Sequence, residues 1–233
     1  MKKFTKSMIF VMCAIAMMFS INAFAFQNDC LNYKVFLADN PLSGDNSDST
    51  LYGVSMSGDS ADLTALLTRD YRFHLAYNNV DDVIYLVRAN GTGFEAIDGT
   101  TLASLADVAF SMDLGSTPTG VYDNGLLYIG SANDDKLYTY NFDDGAITEI
   151  ADEIPVGGGD LIKSGNKLYL ATRTGSKLHQ IVDGEILNTV NIPNKVMGIT
   201  LSSSNTILMA NRDSWFLNEL DLDGNLSDTT IDL

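Results

Sequence analysis

The chain is poor in cysteine, histidine, tryptophan and basic residues. Its 233 residues include two cysteines, two histidines and one tryptophan, and 14 Lys and Arg stand against 30 Asp and Glu. A zinc site needs several Cys or His ligands at regular spacing, which His74, His179 and Cys30 do not offer. No metal or cofactor is therefore expected. The net charge of −16 repels phosphate backbones and anionic membrane surfaces, so nucleic acid is not an expected partner.

Recognisable catalytic motifs are also lacking, and no catalytic residue is assigned. Serines and aspartates are too numerous to assemble a Ser-His-Asp set by spacing. Gly157–Gly159 is not a phosphate loop, because the Lys163-Ser164 pair that follows it is preceded by Ile162 and not by glycine, and no helix is expected there. The three glycines are instead expected to let an inner strand approach its neighbours closely. Asp221–Asn225 begins like a calcium loop but lacks the later ligands, and a hairpin turn is the preferred interpretation.

Long apolar runs are absent except at the N-terminus. A basic start at Lys2, Lys3 and Lys6 precedes the apolar run Met8–Met18 and an Ala-x-Ala site at Ala23–Ala25. This order predicts a signal peptide over residues 1–25 and a mature chain from Phe26, secreted or periplasmic in a bacterium and without a stable membrane span. An uncleaved anchor is the alternative. Cleavage would leave 11 basic and 30 acidic residues and a net charge of −19.

Cysteine usage excludes an internal disulfide in the mature chain. Cys13 lies in the signal peptide, which leaves Cys30 alone. Cys30 could be buried, could pair with another chain, or could pair with a segment beyond this sequence.

The mature chain repeats a unit of about 40 residues, and its clearest copies start near Gly120, Gly159 and Gly198. Equivalent second-strand positions are Tyr85, Tyr128, Tyr169 and Leu208, and equivalent third-strand positions are Phe94, Leu137, Leu178 and Leu217. Asp-Gly pairs supply the hairpin turns at residues 98–99, 144–145, 183–184 and 223–224. Two less regular copies lie upstream, with Leu51–Met56 as a third strand. Ala103–Met112 is the nearest approach to a helix.

Four short strands per repeat predict an all-β protein, a β-propeller of about five four-stranded blades after the signal peptide. The expected blades span about residues 32–70, 71–107, 108–154, 155–193 and 194–233 of the domain 26–233. A β-sandwich with coincidental spacing is the alternative. The units LYIGSANDDKLYTYNFDDG and KLYLATRTGSKLHQIVDG resemble blades of the broad YVTN/NHL/TolB-like propeller group. The resemblance implies a fold and transfers no function.

The first unit lacks an obvious first strand, and the sequence ends within the last fourth strand. We therefore expect an incomplete or truncated ring. A ring closed by residues 27–32 and an open arc are the alternatives.

In a propeller, loops between second and third strands share one face with the links between blades, and this face is the predicted binding surface. The binding candidates on it are Arg72, His74, Asn133, Asp134, Arg173, Asn211, Arg212, Asp213 and Trp215. Arginine suits carboxylates or sulfates and tryptophan suits sugar rings. Arginines paired with neighbouring acids, a tryptophan packed between blades and a structural histidine are the competing interpretations.

Three functions remain open. The first is an exported, non-catalytic binding or scaffold propeller whose partner is a glycan or an extracellular protein. The second is a propeller-type hydrolase or lyase acting on a carbohydrate or lactone through His74, Asp70 and Arg72, which would require these groups to converge on one point. The third is a fragment of a larger secreted protein without independent function.

Overall fold

Short strands joined by turns make up the regular structure of the residues that the structure describes. The computed structural model describes residues 35–39, 48–57, 60–172, 175–193, 196–201, 206–211, 216–221 and 226–232. Within these ranges there is no helix, and hence no helical segment capable of crossing a membrane. The all-β prediction is confirmed.

The strands form separate antiparallel sheets that follow one another along the chain. The first sheet has three described strands, β1 (Val35–Asp39), β2 (Ser49–Ser57) and β3 (Ser60–Arg69). The second has β4 (Phe73–Asn78), β5 (Val83–Arg88), β6 (Gly93–Asp98) and β7 (Ser104–Ala109). The third has β8 (Thr119–Asp123), β9 (Leu126–Ser131), β10 (Lys136–Asn141) and β11 (Ile147–Ala151).

Two further sheets complete the described part of the chain. The fourth contains β12 (Asp160–Ser164), β13 (Lys167–Thr172), β14 (Lys177–Val182) and β15 (Glu185–Asn191). The fifth contains β16 (Val196–Leu201), β17 (Ile207–Asn211), β18 (Phe216–Leu220) and β19 (Leu226–Asp232). The four-stranded repeat is thus confirmed for four sheets.

Tight turns of the expected chemistry close many of the hairpins. Asp183 and Gly184 both have positive φ, 51° and 84°, as a two-residue hairpin turn requires. The Asp98-Gly99 pair does not form such a turn. The turn there is longer, and its residue with positive φ is Leu102, at 59°. Gly99 instead donates its N–H to the Asp82 carbonyl at 2.7 Å. The prediction that each Asp-Gly pair makes the same turn was therefore wrong at this position.

The first strands of neighbouring four-stranded sheets pack against one another. β4 lies against β8, β8 against β12, and β12 against β16. Each of these strands is followed in its own sheet by three strands placed successively farther out. First strands gathered on one axis with sheets radiating outward define the propeller arrangement.

Each hydrophobic core lies between two sheets. Phe94 of β6 and Tyr85 of β5 pack against Leu127 and Ile129 of β9. Aromatic rings reinforce this core: the Tyr85 and Phe142 ring centroids lie 4.9 Å apart. A single sheet cannot bury both of its faces, so the core exists only where neighbours meet.

The outermost strands are exposed. Five of the six residues of β7 are solvent-exposed, including Leu105 at 55%. The segment Ala103–Met112, the nearest approach to a helix in the sequence, therefore contains an edge strand. An edge strand has too little buried surface to show a strong alternating pattern.

Gly159 allows β12 to begin close to its neighbour. A Cβ added at Gly159 would lie 1.4 Å from the Ala171 carbonyl oxygen of β13. Only glycine fits there, and the close approach predicted for Gly157–Gly159 is confirmed at this residue.

Candidate functional site

Loops between second and third strands lie on the same face as the links between sheets. Ala89, in the β5–β6 loop, donates its N–H to the Arg72 carbonyl of the first link at 2.9 Å. The carbonyl of Ala89 accepts the N–H of Thr117, in the next link, at 3.0 Å. Loop and links therefore form one hydrogen-bonded layer, which we call the loop face: residues 70–72, 89–92, 110–118, 132–135 and 152–159.

The same connection recurs in the following sheets. Ala132 of the β9–β10 loop donates to the Ser116 carbonyl at 2.7 Å, and Ile154 donates to the Asp135 carbonyl at 2.7 Å. Backbone bonds of this kind hold the loops at fixed positions, so polar side chains on them are presented in a defined arrangement.

Three of the predicted binding residues lie exposed on the loop face. Arg72 makes no ion pair with any described residue. Asn133 lies against the link before β8, since a Cβ on Gly115 would meet its Nδ2 at 2.2 Å. Asp134 accepts a hydrogen bond from the Tyr138 hydroxyl at 2.7 Å. The arrangement leaves Arg72 and Asn133 free to contact a ligand and partly orients Asp134.

Several other predicted binding residues lie outside the described residues. These are Arg173, Arg212, Asp213 and Trp215, together with the side chain of Asn211.

Two arginines near the loop face pair with acidic residues. Arg69 donates two parallel hydrogen bonds to the Glu95 carboxylate, at 2.8 Å from Nε and 2.7 Å from an Nη. Tyr71 donates its hydroxyl proton to the same carboxylate at 2.5 Å. Arg88 pairs with Asp107 at 2.5 Å and lies over the Tyr71 ring at 5.1 Å. For Arg69 and Arg88, pairing with neighbouring acids is therefore the correct interpretation.

Glu95 is the centre of this network. Its side chain is nearly buried, and the Arg69 guanidinium holds the pKa of its carboxyl at about 2, with the Tyr71 hydroxyl contributing. Since Arg69 is on β3 and Glu95 is on β6, the ion pair joins the first sheet to the second. Its role is structural.

Four residues occupy equivalent positions on the innermost strands. His74, Thr119, Asp160 and Gly198 each lie opposite the last-but-one residue of the second strand in their own sheet, namely Val87, Gly130, Ala171 and Ala210. All four lie near the strand end that follows a link, and therefore beside the loop face. We call them the channel-mouth layer.

Asp160 joins three sheets through its carboxylate. One oxygen accepts the Thr119 hydroxyl of β8 at 3.1 Å and the Leu161 N–H at 2.9 Å. The other accepts the Ile199 N–H of β16 at 2.9 Å. A side chain confined to one face of its sheet would reach only one neighbour. Because Asp160 reaches both, its carboxylate lies on the axial side of β12.

The titratable groups of this layer are shifted by burial. Burial raises the pKa of Asp160 to about 6, against the opposing effect of its three hydrogen bonds. Burial also lowers the pKa of His74 to about 4. At neutral pH the layer therefore contains a neutral imidazole and a carboxylate, and its Thr119 hydroxyl is fully buried.

The His74 side chain is partly buried. No described residue hydrogen-bonds to it, yet every fully buried side-chain nitrogen and oxygen in the described ranges has a partner. The ring nitrogens are therefore not sealed inside the protein. By contrast, His179 bonds to the Thr189 hydroxyl at 2.9 Å and is a structural residue.

Sequence reasoning selected His74 but missed Thr119 and Asp160. The repeats had been placed by their glycines, and the strand registers show that Gly120 corresponds to Leu161 and not to Gly159. The equivalence of Tyr128 and Tyr169 in the second strands, which do share a register, places Thr119 and Asp160 together once it is extended to the first strands.

Metal-binding groups do not converge in the part of the chain that the structure describes. No cluster of three or more His, Cys, Asp or Glu side chains able to hold a metal ion occurs within these ranges.

Comparison with known proteins identifies the fold. No protein-family model matches the sequence, and no curated protein sequence does. A streptogramin B lyase structure is similar with a TM-score of 0.53 at 14% identity, over 85% of this chain and 59% of the lyase. The nidogen/laminin complex gives 0.55 at 14% identity, over 81% of this chain and 77% of that one.

A third similar structure is a protein of unknown function from Bacteroides thetaiotaomicron, with a TM-score of 0.59 at 17% identity, over 81% of this chain and 56% of that chain. This chain thus spans little more than half the length of that protein and of the streptogramin B lyase. The neighbours are NHL- and YVTN-like β-propellers, which confirms the expected resemblance at the level of fold. Sequence identities this low do not show that this chain shares an activity with any of these proteins.

The raised pKa of Asp160 predicts a specific pH dependence of stability. The folded state holds the Asp160 proton more tightly than the unfolded state, so the contribution of Asp160 falls as pH rises from about 4 to above 6. Relative to Asp160→Asn, the wild type should lose roughly 2–3 kcal/mol of unfolding free energy over this window. Because Asn offers one acceptor oxygen instead of two, a constant loss of about 1 kcal/mol per missing hydrogen bond is added to the variant.

Urea unfolding of both proteins across this pH range measures the difference. Asp143→Asn, at an exposed turn, is the matched control and should follow the wild type at every pH. A wild-type-minus-variant difference that stays constant or grows with pH would contradict a buried, proton-retaining Asp160.

Proposed function

We propose that this chain is an exported binding or scaffold propeller that presents its loop face to a glycan or protein outside the cytoplasm. The observation that carries the proposal is the hydrogen-bonded loop face, on which Arg72, Asn133 and Asp134 are exposed. Loops held by backbone bonds lose little conformational entropy when a partner binds, which favours affinity.

The charge of the chain narrows the class of partner. A net charge of −16 disfavours polyanions and is compatible with neutral glycans and with proteins that offer a basic or neutral surface. The Asn133 amide donates hydrogen bonds to hydroxyl groups and accepts them, and the Asp134 carboxylate accepts them. A neutral glycan therefore fits the exposed groups best.

We further propose that the three-stranded sheet is the fifth blade of the ring. Support comes from its packing, because β1 contacts β4 in the way that β13, a second strand, contacts β16. In that arrangement β1, β2 and β3 take the second, third and fourth positions of a blade. The Arg69–Glu95 ion pair fixes this blade to the next one.

Binding to an array of neutral glycans tests the loop-face proposal. The double variant Asn133→Ala with Asp134→Ala should weaken binding of the best array ligand about tenfold, equivalent to roughly 1.4 kcal/mol. Arg72→Ala should also weaken binding of this ligand. The control is Asp143→Ala, at an exposed turn on the opposite face, which should bind like the wild type. Equal losses in all variants would contradict a binding site on the loop face, and the absence of any bound glycan would contradict a glycan as the partner.

Export is tested by the N-terminus of the protein recovered from a bacterial host. We propose that residues 1–25 direct export and are removed, so the intact mass of the periplasmic or secreted protein should correspond to a chain that begins at Phe26. Retention of Met1 in a membrane fraction would instead support the uncleaved anchor.

A further inference from the structure

We infer that a cavity between the third and fourth sheets is a binding site for one neutral, mostly apolar ring that carries a single hydrogen-bonding oxygen, as a phenol does. The inference goes beyond the proposed function and is independent of it. None of the residues that line the cavity belongs to the loop face.

The first observation is the size and lining of the cavity. Its volume is about 190 Å³, and it reaches solvent beside two exposed turn residues, Asn166 and Asp183. Its inner wall is apolar and includes the buried side chains of Leu137, Leu168 and Ile181. An apolar cavity of about 150 Å³ holds one benzene-sized ring. The space therefore suits a single ring and is too small for an oligosaccharide.

The second observation is that the cavity lies where the third sheet departs from the repeat. Ala151 of β11 lines the cavity and pairs with the second residue of β10. The residues that pair with the second residue of β6 and of β14 are Val108 and Val190. Alanine lacks two methyl groups that valine has, so the third sheet leaves open a volume that its neighbours fill.

The third observation is an unused hydroxyl group on Tyr128. The residue lines the cavity and is partly buried, and its hydroxyl has no hydrogen-bond partner among the described residues. Because every fully buried side-chain oxygen in the described ranges has a partner, this hydroxyl is accessible to a ligand or to water. Burial raises the pKa of Tyr128, so the group keeps its proton at neutral pH and can both donate and accept a hydrogen bond.

The fourth observation is that the cation in the lining is already compensated. Lys163 of β12 donates to the Asp123 carboxylate of β8 at 2.6 Å and to the Gly165 carbonyl at 2.6 Å. Its Nζ also lies 5.6 Å from the centre of the Tyr128 ring. The ion pair joins the third sheet to the fourth beside the cavity, and it leaves no net positive charge there to attract an anion.

The chemistry of these groups selects the ligand class. A sugar would place several hydroxyl groups against the apolar wall, where they would lose water without gaining a partner. An anion would face the exposed Asp183 and a chain of net charge −16. A ring with one hydroxyl group can bury its carbons against the wall and bond its oxygen to Tyr128.

NMR of isoleucine methyl groups in the whole chain tests the site. The probes are p-cresol, toluene, sodium 4-methylbenzoate and D-glucose, each titrated separately. Because Ile150 and Ile181 line the cavity, p-cresol should shift their methyl signals saturably. The signals of Ile84, which is buried in another core cluster, should not move. Toluene should bind more weakly than p-cresol, and 4-methylbenzoate and D-glucose should cause no shift.

Matched variants locate the ring and its oxygen. Ala151→Val supplies the residue that two other sheets carry at this position and should weaken p-cresol binding about tenfold by filling space. Ala106→Val, at an exposed position of β7, is the control and should bind like the wild type. Tyr128→Phe should weaken p-cresol about fivefold through loss of one hydrogen bond and leave toluene unchanged. This second variant covers the case in which Ala151→Val does not fold.

Several results would overturn the inference. These are no saturable shift with p-cresol, tighter binding of D-glucose or 4-methylbenzoate than of p-cresol, and unchanged p-cresol binding in folded Ala151→Val. Equal losses of toluene and p-cresol in Tyr128→Phe would exclude the hydroxyl as the partner of the ligand oxygen.

A further probe distinguishes two sources of the same ring. If N-acetyl-L-tyrosinamide shifts Ile150 and Ile181 as p-cresol does, the site accepts a tyrosine side chain. If only p-cresol does so, the site accepts a free phenol. Both results support the site, and neither depends on whether the loop face binds a glycan.

Discussion

The structure depends on one constraint: a four-stranded sheet of this sequence cannot bury both faces without a neighbour. Each hydrophobic cluster combines residues of two consecutive sheets, as Leu137 of β10 and Leu170 of β13 illustrate. Packing first strand against first strand satisfies this need for the four described four-stranded sheets in turn and gathers these strands on one axis. The outer strands bury little surface in this packing, so β7 and β15 remain exposed. Core and surface are thus distributed by distance from the axis.

The same constraint creates the candidate site. First strands that converge on the axis bring equivalent positions of different sheets together. Side chains that are distant in sequence therefore lie close together in space. Thr119 and Asp160 are hydrogen-bonded across two sheets, and the same carboxylate reaches a third sheet through Ile199. A buried acid at this point is costly unless it is well hydrogen-bonded. Asp160 has three donors and a raised pKa, which makes it both a connector of sheets and a polar feature of the channel mouth.

Much of the fold could be predicted from the sequence, because strands and turns repeat with a constant phase. The second-strand residues Tyr85, Tyr128 and Tyr169 and the Asp183-Gly184 turn lie where the repeat placed them. The site could be predicted only in part. The glycines were taken as equivalent positions of the repeats, although they are needed for different local reasons. A side chain at Gly159 would clash with the backbone, whereas a Cβ at Gly198 would meet only ordinary contacts. The Arg69–Glu95 pair joins two sheets, and its geometry has no signature in local spacing.

Hydrogen exchange of the backbone amides tests the central claim, that neighbouring sheets stabilise one another as one unit. Amides of β8 and β12 belong to different sheets, and both strands contribute to the packing around the axis. If the sheets depend on each other, the most protected amides of both strands should open with the same free energy, equal to that of global unfolding measured in urea. Distinct opening free energies for the two strands, each below the global value, would show that the sheets are stable separately and would contradict the account.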